Sequence, residues 1–200
     1  MHPVRILTYF GNAAVLIPLC LVLALWMARY VSRHIAVWWL VCVGSVVSVT
    51  AFAKIWFAGC GYTLWHIHSP SGHTSFSSIA YCGLAMVLAA GRPEPRRHQI
   101  RLFAVLWIIG IGLTRIRLQA HTPQEVLAGW IVGGLGAIVF ARVYGTSQRP
   151  DMRWIIPIGA ALFVVALLPQ AHFSFESLLD RMGRQAAGHL PICIIPAMSE

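Results

Sequence analysis

The sequence predicts an all-α, polytopic membrane bundle of about six transmembrane helices. Three observations predict it. Hydrophobic residues make up 58% of the chain and charged residues 10%, where a soluble domain of this length carries about a quarter charged residues. The apolar residues gather into six runs, and a helix crosses a bilayer with about 20 such residues. The basic residues fall in the short segments between runs and are unevenly shared between alternate segments, as the positive-inside rule requires. The formal charge of +9 therefore does not point to nucleic acid, which calls for a basic face interleaved with aromatics.

The first run is Ala13–Tyr30. Arg5 ahead of it would suit a signal peptide, but the apolar stretch exceeds a usual h-region and "LWMARYV" is a poor cleavage site. It reads as a retained helix. Ala36–Ala58 and Thr74–Ala90 follow. The fourth run, Leu102–Leu113, is short unless Thr114 to Leu118 extend it, and Glu125–Tyr144 and Trp154–Leu168 complete the set. Residues 170–200 read as a peripheral tail in which "FESLLDRMG" can form a short interfacial helix. The chain reads as one domain, 1–200. Cys20, Cys42 and Cys82 lie inside apolar runs and suit small buried positions. Cys60 and Cys193 can pair only if both lie outside the membrane, and no two cysteines have metal-ligand spacing.

Arg29 and Arg33 follow the first run, Arg92, Arg96, Arg97 and Arg101 the third, and Arg142, Arg149 and Arg153 the fifth. These nine share one side, against six on the other: Arg5, Lys54, Arg115, Arg117, Arg181 and Arg184. The richer side is expected to be cytoplasmic. The stretches "HIHSPSGHTSFSS" (His66–Ser78) and "TRIRLQAHTPQEVLAG" (Thr114–Gly129) then share the outer face.

A polar cluster in so apolar a chain is costly and asks for a chemical role. Lys54 is the single lysine, either a snorkelling interfacial residue or a cation aimed at an anion in the outer loops. Ser71 can cap the third helix, and Gly72 lets a backbone N–H approach a ligand closely. A helix N-terminus with free N–H groups suits an anion. A charged His73 in that first turn is opposed by the helix dipole unless an anion compensates. Arg115 and Arg117 offer guanidinium forks to phosphate oxygens, but two residues apart on a helix they diverge, so one of them reaches a site. Glu125 stands four residues after His121 and can support its ring. Thr122-Pro123-Gln124-Glu125 also reads as a capping box with Pro at the first helical position, and the two readings stand together.

These residues resemble the type 2 phosphatidic acid phosphatase superfamily, the lipid phosphatases related to vanadium haloperoxidases. Its second block is intact as Pro70-Ser71-Gly72-His73. Its third has the right spacing as Thr114-Arg115, five residues, His121, three residues, Glu125, with Thr for Ser and Glu for Asp. Of the first block Lys54 fits, but Gly61-Tyr62 stand where Arg-Pro belongs. The blocks cover about a third of the chain, Lys54 to Glu125, and six helices suit the family.

The resemblance implies metal- and cofactor-independent phosphoryl transfer from a lipid phosphate at the outer face of the cytoplasmic membrane. His121 would form a phosphohistidine with Glu125 in support. His73 would protonate the leaving group and then activate water. Lys54, Ser71, Gly72 and Arg115 would hold the phosphate oxygens, and Arg117, His66 or His68 would stand in for the missing arginine. The lipid stays open among phosphatidic acid, phosphatidylglycerophosphate, undecaprenyl diphosphate and lipid A phosphate. Three other readings remain: transfer to an acceptor lipid instead of water, a binder of lipid phosphates without catalysis, and a metal site built from His66, His68, His73 and His121. Membrane lipids are the expected surroundings; oligomeric state is not encoded legibly.

Overall fold

The computed structural model describes residues 3–60 and 69–145. Six helices occur among them: α1 (Pro3–Tyr9), α2 (Ala13–Tyr30), α3 (Arg33–Cys60), α4 (Gly72–Ala89), α5 (Glu94–Arg117) and α6 (Pro123–Tyr144). Four have the length and apolarity to cross a membrane: Ala13–Tyr30, Arg33–Phe57, Glu94–Arg117 and Pro123–Tyr144. The protein is an all-helical membrane bundle. The sixth apolar run, the tail and Cys193 lie outside the described residues.

α2 begins and ends where its apolar run does, with the Asn12 side chain accepting from the Ala14 N–H at 3.0 Å. α5 begins at Glu94, well before Leu102. Pro93 and Pro95 sit at its start, where a missing N–H costs nothing. Glu94 suits the positive end of the dipole and pairs with Arg97 at 2.9 Å. Arg96, Arg97 and Arg101 therefore ride on a helical extension instead of a loop. α1, seven residues long, is too short to register as an apolar run.

α4 is the helix at the centre, packed against α2, α3, α5 and α6. Its polarity is divided along its length. The first half, Gly72–Ser78, carries hydroxyls that bond back to carbonyls one turn earlier: Ser75 to Ser71 (3.0 Å), Ser77 to Thr74 (3.2 Å) and Ser78 to Thr74 (2.7 Å). The second half joins the apolar core with Trp39, Leu16, Met27 and Phe140. The Trp39 indole lies against Gly83, donates to the Cys20 carbonyl at 2.9 Å and meets Phe140 edge-on at 4.9 Å. One end of the bundle is thus sealed by aromatic packing, and the other is left for polar groups.

α6 meets the polar half of α4 through a face of Glu125, Val126, Gly129, Gly133 and Ala137. Small residues let the two backbones approach, the packing solution favoured in membranes. A Cβ at Gly129 would lie 2.8 Å from the Ser71 carbonyl oxygen, and one at Gly133 would collide with the Ser75 carbonyl. Neighbouring Gly134 faces open space. Gly133→Ala is expected to destabilise the protein by about 3 kcal/mol, while Gly134→Ala is neutral or stabilising by up to about 1 kcal/mol. Thermal unfolding in detergent distinguishes the two.

Candidate functional site

The C-terminal ends of α3 and α5 and the N-terminal ends of α4 and α6 come together at the polar end of the bundle. On α3, Val46, Thr50 and Lys54 form one buried face. The Thr50 hydroxyl donates to the Val46 carbonyl at 2.8 Å and stands 3.0 Å from Ser75 Oγ on α4. One turn further along, Lys54 is 7% exposed. That degree of burial is deeper than snorkelling gives.

Ser71 precedes α4 as its N-cap, but its side chain makes no capping bond. This corrects the expectation from sequence. The Ser71 N–H is drawn instead to the Glu125 carbonyl at 3.0 Å, and the segment follows α6. The hydroxyl is fully buried and has no hydrogen-bond partner among the described residues. An unsatisfied buried hydroxyl typically costs ~1–3 kcal/mol. Gly72 is the first residue of α4 and His73 the second, half-buried.

α5 ends at Arg117 in a tight turn. The Ala120 N–H bonds to the Arg115 carbonyl at 3.0 Å, with Gln119 at φ 53° in the left-handed position usually given to glycine. The chain reverses there and delivers His121 to the start of α6. Arg115 and Arg117 diverge, as their spacing requires: Arg115 is 9% exposed and Arg117 lies on the outer surface. The structure therefore brings Arg115 but not Arg117 to the cluster. The Arg115 Nη1 donates to Thr8 Oγ1 of α1 at 3.4 Å, a contact no motif signals.

Glu125 organises the site. Its Oε2 lies 2.9 Å from His121 Nδ1 and accepts from the Thr122 N–H at 3.0 Å. The Thr122 hydroxyl accepts in turn from the Glu125 N–H at 3.3 Å, completing the capping box. Capping and histidine support, weighed equally from sequence, are both present. A third task is added: Oε1 accepts from the Ser69 N–H at 3.2 Å. Through that bond and the one from Ser71, a single residue ties the Pro70-Ser71-Gly72-His73 segment to the His121 turn. A carboxylate accepts from Nδ1–H, so in the neutral ring the lone pair lies on Nε2.

Lys54, Ser71, Gly72, His73, Arg115, His121 and Glu125 thus gather at one end of the bundle. Gly61-Tyr62, His66 and His68 lie outside the described residues. Among the described residues, no three His, Cys, Asp or Glu side chains group to hold a metal.

Comparison with known proteins gives the following. The sequence model of the PAP2 superfamily matches residues 49–149. A 22.5 kDa protein of the cps region of Klebsiella pneumoniae is 25% identical over 171 residues, covering 84% of this chain and 82% of that protein. A lipid A 1-phosphatase of Rhizobium etli is 32% identical over 77 residues, 36% of this chain and 29% of the enzyme. A putative phosphatidate phosphatase of Drosophila melanogaster is 30% identical over 89 residues, 42% and 24% respectively. The match thus spans less than a third of either named phosphatase. No solved structure matches significantly.

Proposed function

The chain belongs to the PAP2 superfamily, and on that premise we propose that it is a membrane phosphatase releasing phosphate from a lipid mono- or diphosphate through a phosphohistidine. The observation that carries this reading is the His121–Glu125 pair at 2.9 Å, bound by the same carboxylate to the segment that holds His73. The names of the Rhizobium and Drosophila relatives support a lipid phosphate as substrate.

His121 Nε2 attacks phosphorus, the bond from phosphorus to the leaving oxygen breaks, and protonated His73 gives that oxygen its proton. Neutral His73 then takes a proton from water as the water oxygen attacks phosphorus. The P–N bond breaks, and free phosphate leaves with His121 restored. Lys54, Arg115, the Ser71 hydroxyl and the Gly72 N–H stabilise the non-bridging oxygens, with little covalent work left for the protein. The buried Ser71 hydroxyl, without a hydrogen-bond partner among the described residues, supports a polar ligand at that point.

The site faces away from the cytoplasm in this reading. Among the described residues, Lys54 and Arg115 at the site end are buried, leaving Arg5 and Arg117 against the arginines at positions 29, 33, 92, 96, 97, 101 and 142 at the other end. That bias supports a site at the outer surface of the cytoplasmic membrane.

Arg115→Ala is expected to lower turnover by about 10²–10³, and Arg115→Lys by about tenfold, because an ammonium cannot replace the fork. Arg117→Ala should stay within about twofold of the parent. The reading itself is tested by phosphate release from a panel of lipid mono- and diphosphates, in detergent with chelator. Release from at least one lipid supports it. Chelator-sensitive release points to a metal held by the histidines, and a phosphorylated acceptor lipid in place of free phosphate points to transfer.

A further inference from the structure

The segment ahead of α2 lies outside the family match, which begins at residue 49, yet it touches the site at two places. The Thr8 hydroxyl accepts from Arg115 at 3.4 Å. Gly11 lies where an added Cβ would stand 2.8 Å from Ile111 Cγ2, 3.2 Å from His73 Cδ2 and 3.3 Å from the Thr8 carbonyl oxygen. Backbone conformation does not require glycine here, since the positive-φ glycines among the described residues are Gly91 and Gly145. Space does: the His73 ring rests against a bare Cα.

The turn is itself fastened from behind. The Tyr81 hydroxyl on α4 donates to the Phe10 carbonyl at 2.8 Å. Phe10 packs edge-on to Trp107 of α5 at 5.3 Å, and Tyr81 meets the same indole at 6.2 Å. The Asn12 cap starts α2 immediately after. A turn held by α4, α5 and α2 is a rigid surface, and a rigid surface can orient what leans on it.

We propose that the Thr8–Gly11 turn is a positioning element of the phosphate site, with the Thr8 hydroxyl aiming the Arg115 guanidinium and the bare Gly11 seating the His73 imidazole. Neither residue touches substrate; each acts through a neighbour. The proposal rests on the phosphatase reading for its chemistry, and a displacement of catalytic groups by a fraction of an ångström is what such a defect would cause. Thr8→Val keeps shape and removes the acceptor; Thr8→Ser keeps the acceptor and removes a methyl. Gly11→Ala adds the atom that His73 and Ile111 must accommodate.

The test uses the full chain in detergent, with phosphate release, binding of inorganic phosphate by calorimetry, and thermal unfolding for each variant. Thr8→Val is expected to lower kcat/KM by about tenfold while Thr8→Ser stays within about twofold. Gly11→Ala should lower kcat by about ten- to a hundredfold with KM little changed, as expected of a misplaced proton donor. Melting temperatures of the two Thr8 variants should agree. Thr8→Val turning over like the parent, or Thr8→Ser failing as Thr8→Val does, overturns the role of Thr8. Gly11→Ala with parental kcat overturns that of Gly11. Should the parent release no phosphate yet bind it, the hydrolytic reading fails and the turn is judged on affinity, weaker in Thr8→Val than in Thr8→Ser. A parent that neither releases nor binds phosphate overturns both.

Discussion

His121→Ala is expected to reduce phosphate release by about 10³-fold or more while leaving the protein folded. The loss is large because the nucleophile has no substitute. With the attacking nitrogen gone, only positioning and charge stabilisation remain, and removing the nucleophile of a coupled set typically costs nearly as much as removing the whole set. The fold should survive because Glu125 keeps its bonds from Ser69 and Thr122 and the capping box does not include the imidazole. The variant should melt within a few degrees of the parent, a shift corresponding to about 1 kcal/mol. Phosphate release and thermal unfolding on the same preparation separate loss of chemistry from loss of structure.

Glu125→Gln is expected to cost about 10²–10⁴ in turnover. An amide presents one oxygen and one NH2, and Glu125 uses both oxygens as acceptors: Oε1 for Ser69 and Oε2 for Thr122 and His121. Either orientation of the amide sets a donor against a donor. If the NH2 faces His121, Nδ1 must accept, and the ring proton moves to Nε2, the nitrogen that has to attack. An Asp to Asn change beside a catalytic histidine shows that a wrong tautomer alone can cost ~10⁴. Glu125→Asp keeps charge and acceptor count with a shorter reach, and should recover most of the loss, within about tenfold of the parent. Glu125→Ala goes further. It leaves the part-buried N–H groups of Ser69 and Thr122 without their acceptor, at up to ~1–3 kcal/mol each, and loosens the hold of α6 on the Ser69–Ser71 segment. Activity and melting temperature should both fall in that variant. In Glu125→Gln, activity should fall much more than stability.

The parts of this account that were legible in the sequence are those governed by local spacing. The apolar run Ala13–Tyr30 is α2 to the residue, since hydropathy and helix ends coincide where Asn12 caps and the chain turns. His121 and Glu125 are one helical turn apart, so their contact follows from geometry any helix start imposes. The divergence of Arg115 and Arg117 has the same origin.

What was not legible depends on distant residues. The Ser69–Glu125 bond joins positions 56 apart, and the Thr8–Arg115 contact positions 107 apart. No local pattern announces either. The sequence suggests a side-chain cap at Ser71 because capping is a local habit, whereas a tertiary contact with the Glu125 carbonyl redirects the backbone. The start of α5 at Glu94 leaves no mark on the apolar pattern because charged residues break an apolar run without breaking a helix. From hydropathy α4 is one span among six, although its hydroxyl-rich first half is tolerated because four neighbouring helices surround it.

The most direct test of the central claim is to trap the intermediate. The purified chain, mixed with a phosphorus-labelled lipid phosphate in chelator and quenched rapidly in alkali, should carry an acid-labile, alkali-stable phosphoryl group on the peptide containing His121. The label should be absent from His121→Ala. Full turnover with no label at His121, or label on another residue, would contradict the account.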